Sequence, residues 1–257
     1  MTSMSTPPPL LAPSVLLAFD DFSLAGSHLL RHASVAGGRG EPQELSAKSG
    51  VSATLAERIR VCHYRLQPDS ARAELSTVVV ESAALLQRDG GVDGAALWEL
   101  ADAVASLLSA ADVRELTVVA SLHLPDAKPR PAPLDNVYFA RVVAAAAVDA
   151  AAPSLFDGSA FATLDAQWEL KDALLARLLH LLRVDHSVAT AVLLAKGFRP
   201  GRDGAGTRDA LATLELALQR YTRGLVAFDR QAASRDAALT QRARPPQHSP
   251  ELALLYQ

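Results

Sequence analysis

The chain has 257 residues, enough for one large domain or two small ones, and its 49 % hydrophobic content supports a sizeable core. A formal net charge of −3 argues against non-specific nucleic-acid binding, which needs a basic face to displace counterions. No run reaches the roughly 18 apolar residues of a membrane span, and the single Cys62 excludes an internal disulfide and suits a reducing compartment, cytoplasmic or nuclear.

The N-terminal stretch MTSMSTPPPLLAPS lacks a basic leader region and reads as a disordered arm, assigned here to residues 1–13. Residues 14–19, SVLLAF, form a short continuous apolar run and predict a buried strand. In the following DDFSLAGSHLLRHAS, Phe22, Leu24, Leu29 and Leu30 predict a helix that begins near Asp20 and Asp21. GGRGEPQELSAKSG is glycine-rich and polar, hence a loop. IRVCHYRL, from Ile59 to Leu66, alternates with period two as a half-buried strand does. LSTVVVESAAL follows a QPDS turn and predicts the second strand of a hairpin.

Further on, DGAALWELADAVASLLSAA places Leu97, Leu100, Val104, Leu107 and Leu108 on one helical stripe. It leads into the strand ELTVVASLHL, so residues 75–124 read as a strand–helix–strand crossover between parallel strands. PDAKPRPAPLDN is a proline-rich loop, and VYFARVVAAAAVDAA, residues 137–151, reads as helix or as strand plus linker, the alanines favouring helix. A leucine helix over 172–182 precedes a buried strand in HSVATAVLLAKGF. A final helix over 207–221 has Thr207 as its expected N-cap. The polar remainder is expected to be flexible. The domain reading is thus an α/β unit over 14–230, with a mixed or mainly parallel sheet flanked by helices, and a tail over 231–257.

Chemistry is sparse. The seven histidines form no metal-ligand spacing, and neither His63 nor His186 has a thiol pair nearby. His28 and His32 lie one helical turn apart and read as an ordinary exposed face; His180 reads as a partnered or solvent-facing ring. The loop GRDGAG at 201–206 lacks the Lys-Ser/Thr step of a phosphate-binding loop. Asp20 and Asp21 fall at the carboxyl end of the first strand, where open α/β sheets bind ligands. Helix capping explains them more simply than paired acid–base chemistry, and losing both charges is expected to cost about 1 kcal/mol. No GxSxG elbow is present.

The order SVLLAFDDFSLAGSHLL, then IRVCHYRL and STVVVES, a Trp-bearing helix, ELTVVASLHLP, and DALLARLLHLLRVDHSVATAVLLA before a last helix spans residues 14–220. Behind an ARPPQHSP spacer comes Leu255-Tyr256-Gln257, a hydrophobic residue, a tyrosine and a third residue. This combination resembles the proteasome assembly chaperone 1 family. The resemblance implies a chaperone fold without catalytic, metal or cofactor sites. It also implies a heterodimer with proteasome assembly chaperone 2 that promotes α-ring formation of the 20S core. Leu255, Tyr256 and Gln257 are then the partner-binding residues, inserted into a pocket between proteasome α-subunits; nucleic acid and membrane are not expected partners. Two other readings remain open at this level: an α/β enzyme of the nucleoside phosphorylase or hydrolase type, and a small-ligand or signalling adaptor.

Overall fold

The computed structural model describes residues 10–21, 23–35, 38–39, 41–43, 52–66, 73–82, 93–111, 113–143, 154–185, 188–197 and 205–243. The chain opens with β1 (Ser14–Phe19), α1 (Ala25–Arg31), β2 (Ala33–Val35), β3 (Gly38–Arg39) and β4 (Glu41–Gln43). It continues through α2 (Ala53–Ala56), β5 (Ile59–Tyr64), β6 (Leu75–Val80), α3 (Gly94–Ala110) and β7 (Glu115–Leu122). A 3-10 turn at Pro133–Asn136 leads to β8 (Val137–Val143), β9 (Ala162–Thr163), α4 (Ala173–Asp185) and β10 (Ala189–Lys196). The last elements are α5 (Ala205–Tyr221), β11 (Val226–Phe228) and α6 (Arg230–Ala243).

The main sheet has eight strands in the order β4-β5-β6-β1-β7-β10-β8-β9. Its centre, β6-β1-β7-β10, is parallel, and β4, β5 and β8 add antiparallel pairings towards the edges. All six residues of β1 are buried, with Val15, Leu17 and Phe19 entering one core and Leu16 and Ala18 the other. A strand apolar on both faces is what a sheet covered by helices on both sides requires. One core lies under α3 and α4, the other under α1, α5 and α6. The α3 stripe of Leu97, Leu100, Val104, Leu107 and Leu108 is buried as its spacing predicts. Asp93 caps this helix, accepting from the N–H groups of Ala95 and Ala96 at 3.0 Å.

The strand over 14–19, the hairpin β5–β6, and the crossover from β6 through α3 to β7 stand where the sequence puts them; β6 and β7 flank β1 and both run parallel to it. Other expectations are corrected. The arm does not extend to residue 13. Leu11 and Ala12 are buried, the Ala12 N–H donates to Ser76 Oγ at 2.8 Å, and the Pro13 carbonyl accepts from Arg114. The folded body does not stop at 230 either, because α6 packs on α1 and α5 through Ala233 and Ala237. Val137–Val143 is strand, not helix: its β-branched and aromatic residues pair with β10, and the alanine run that suggested helix lies outside the described residues. The expected loop after residue 36 contains β3 and β4. Thr207 is not an N-cap, since α5 already begins at Ala205 and Thr207 is buried within it. Among the described residues, no helix is long and apolar enough to cross a membrane.

Candidate functional site

At the carboxyl end of β1 the chain turns sharply into α1, and Asp21 organises the turn. Its Oδ1 accepts from the N–H groups of Ser23 at 3.0 Å and Ala25 at 3.1 Å. Its Oδ2 accepts from Gly26 at 3.1 Å and from Ser121, at the end of β7, at 2.7 Å. One carboxylate therefore satisfies three donors at the start of α1 and ties that helix to a strand 100 residues away. Burial pushes the Asp21 carboxyl up from 3.8 to about 7, while the four N–H groups pull it down.

The knot is tight. Ser23 Oγ lies 3.1 Å from Ser121 Oγ, and the Gly197 N–H donates to the Leu122 carbonyl at 2.7 Å. Gly26 permits the closeness of α1 to the sheet, because a Cβ there would come within 2.7 Å of the Val119 carbonyl oxygen. Leu24, just before α1, holds a left-handed backbone at φ 59° although it is buried and not glycine. That conformation costs about 1–2 kcal/mol and persists because the Asp21 bracket and Leu24 burial over-determine the turn. The capping role expected of this aspartate pair thus falls to Asp21. Asp20 instead lies 3.9 Å from Arg31, which also pairs with Glu81 at 3.1 Å.

The two histidines of α1 are not an exposed face. His28 is fully buried, neither ring nitrogen has a hydrogen-bond partner among the described residues, and burial, reinforced by Arg31, lowers its pKa from 6.5 to about 4. His32 Nε2 lies 2.7 Å from Asp236 Oδ2 and so links α1 to α6. The reason is topological: α1 is covered by the sheet on one side and by α5 and α6 on the other, so it has little solvent face to offer. His63 Nδ1 lies 2.7 Å from Ser76 Oγ, and His180 is solvent-facing beside Trp98, as expected. Among the described residues, no group of three or more His, Cys, Asp or Glu side chains is placed to hold a metal ion. Leu255, Tyr256, Gln257, Phe22, His186 and residues 201–204 lie outside the described residues.

His28 makes a pH prediction. Its pKa is depressed in the fold, so the stability it contributes is whole above about pH 6.5 and is lost as pH falls towards 4. His28→Leu, which fills similar space without the two orphan nitrogens, is expected to improve stability by about 2 kcal/mol more at pH 5 than at pH 8. Urea unfolding at the two pH values measures this; equal effects at both would contradict it.

At the opposite, amino-terminal end of the parallel strands, a cavity of about 520 Å³ opens beside Phe139, Phe156 and Phe161, with Arg141 and Arg223 among its lining residues. Nothing in the sequence marks it, since its residues are drawn from β8, the segment before β9, and the turn after α5.

No protein-family model matches the sequence, and no curated protein matches it. Solved structures do. Pyrococcus furiosus PbaA, described as an archaeal homologue of proteasome-assembly chaperone, is similar over 98 % of this chain and 98 % of its own, with a TM-score of 0.51 and 10 % identity. PbaB of the same organism, described as an archaeal proteasome activator, is similar over 90 % of this chain and 92 % of its own, with a TM-score of 0.50 and 13 % identity. The chain has the single-domain α/β fold of the proteasome assembly chaperone structures, a mainly parallel sheet flanked by helices.

Proposed function

We propose that this chain is a non-enzymatic proteasome assembly chaperone subunit that pairs with proteasome assembly chaperone 2 and promotes α-ring formation of the 20S core. The observation that carries this reading is the agreement with PbaA along nearly the whole of both chains. Fold alone hosts many functions, so the sequence triplet Leu255-Tyr256-Gln257 supplies the second support. In this reading Leu255, Tyr256 and Gln257 enter a pocket between neighbouring α-subunits. The protein works in the cytoplasm or nucleus.

The rival enzyme reading would use the carboxyl edge of the sheet, where open α/β folds do their chemistry. Among the described acids there, Asp21 has both oxygens occupied by backbone donors in a closed knot, and Asp20 and Glu81 face Arg31. A carboxyl enclosed like that of Asp21 is a structural hub, and the proton it exchanges near pH 7 is felt in stability rather than passed to a substrate. The adaptor reading has no comparable support from the fold.

Among the described residues, Trp98, Val184, Leu216, Leu225 and Leu239 are large apolar side chains left exposed, spread over both helical layers. Produced alone, the protein is expected to aggregate; co-produced with its partner chaperone, it is expected to elute as a soluble complex of the two. Size-exclusion chromatography with light scattering measures this. A monodisperse monomer, indifferent to the partner, would remove the heterodimer from the account.

A further inference from the structure

The cavity at the amino-terminal edge of the parallel strands is a built site. Phe139, Phe156 and Phe161 line it, and behind them lies the buried Tyr221, with Phe156 stacked on the Tyr221 ring at 5.1 Å and 12° between planes. Phe139 and Phe161 lean on the same ring at 5.8 and 6.2 Å. The cluster is anchored to the sheet, because the Tyr221 hydroxyl lies 2.7 Å from Thr117 Oγ1. The segment leading to β9 is pinned as well: the Leu155 N–H donates to Glu115 and the Asp157 N–H to the Tyr221 carbonyl. Gly158 lies against Phe139 so closely that a Cβ would come within 2.5 Å of the ring. These restraints hold the walls before any ligand arrives, which lowers the ordering cost of binding.

Charge gives the cavity a direction. Arg141 and Arg223 line it and are solvent-exposed, and among the described residues neither lies within 4.0 Å of a carboxylate. Asp157 is the acid in the lining; its Oδ1 accepts from the N–H of Ser159 at 3.0 Å and from the hydroxyl of Ser159 at 2.6 Å, and these bonds, with Arg223 and Arg220 nearby, hold its pKa below the usual carboxylate value, so it stays charged and offsets part of the arginines' charge. Arg223 holds a left-handed backbone at φ 53°, a conformation that glycine or asparagine would adopt at lower cost. The turn that ends α5 imposes this conformation: the Arg223 N–H donates to the Arg220 carbonyl at 3.1 Å and the Gly224 N–H to the Gln219 carbonyl at 2.7 Å. The volume, about 520 Å³, falls in the range of small-molecule sites.

From the aromatic walls and the two arginines, we propose that this cavity binds a small molecule that combines a planar apolar ring with an oxyanion, a phosphate or a carboxylate. The ring lies against Phe139, Phe156 and Phe161, and the guanidinium groups of Arg141 and Arg223 hold the anion through charge-assisted hydrogen bonds. The inference does not depend on the chaperone reading, since it uses neither the tail nor the exposed apolar side chains.

Isothermal titration of the full chain, alone or as its heterodimer, provides the test, with phenyl phosphate and benzoate as probes and with phenol and inorganic phosphate as the separate halves. Saturable binding of phenyl phosphate or benzoate at about 1 mM or tighter, at least tenfold better than either half, is expected, and which anion wins identifies the oxyanion. Changing both Arg141→Gln and Arg223→Gln is expected to weaken that binding by about tenfold or more. Both side chains are exposed, so the fold should be unaffected, which circular dichroism of the variant checks. No saturable binding of either ring anion up to about 10 mM would overturn the proposal. Equal affinities of the double variant and the parent would overturn it too.

Discussion

Asp21→Ala is expected to destabilise the domain by at least about 4 kcal/mol at pH 5, close to the whole stability of a marginal domain. Four buried backbone N–H groups lose their acceptor at once, each at a cost of about 1–3 kcal/mol. The pH dependence has a definite sign. Because burial raises the folded pKa of Asp21 from 3.8 to about 7, its contribution is whole below about pH 4 and falls as pH rises through 7. Between pH 5 and pH 8 the loss caused by Asp21→Ala should therefore shrink by about 3 kcal/mol. His28 titrates in an overlapping window, but it is present in both proteins and cancels from the difference. Urea unfolding of the two proteins at both pH values measures the effect, and a loss that grows with pH would contradict it. The sequence alone suggests about 1 kcal/mol for losing the Asp20 and Asp21 charges together, a figure that takes no account of Asp21 burial or of its bond to Ser121.

The second large effect concerns the hook. Burying a leucine and a tyrosine is worth roughly 2–3 kcal/mol each, while fixing the residues that carry them costs about 1–2 kcal/mol per residue. The hook alone should bind in the millimolar to high-micromolar range, so it acts as one arm of a multivalent contact. Tyr256→Ala, or deletion of Leu255, Tyr256 and Gln257, is expected to weaken α-ring binding by about tenfold or more, at least 1.4 kcal/mol. Tyr256 is the larger anchor because its ring adds area and its hydroxyl can bond at the pocket wall. Heterodimer formation should be unchanged. Titration of assembled α-ring with parental and truncated heterodimer decides it, and equal affinities would show that the tail plays no part.

What could be read from the sequence was whatever is encoded locally. The runs SVLLAF and TVVASL are apolar on both faces, and the α3 leucines repeat every three or four residues, so these elements announce themselves. By contrast, α6 offers its neighbours small side chains, Ala233 and Ala237, in an otherwise polar stretch, and no apolar stripe betrays it. Strand β8 was hidden by the alanines that follow it. Asp21 could be read as a cap, but its bond to Ser121 joins residues 100 apart in sequence and has no local signature. His28 misled for a related reason, since one turn of helix cannot reveal how many sides of it will be covered. The cavity gathers Phe139, Phe156, Phe161 and Arg223 from three segments, and only the folded chain brings them together.

Affinity purification of the tagged chain from its own cells, followed by mass spectrometry, tests the central claim most directly. The account predicts a partner chaperone together with a full set of proteasome α-subunits, present before the mature 20S core has formed. Recovery of the chain without a partner chaperone and without α-subunits, under conditions in which it is folded, would contradict it.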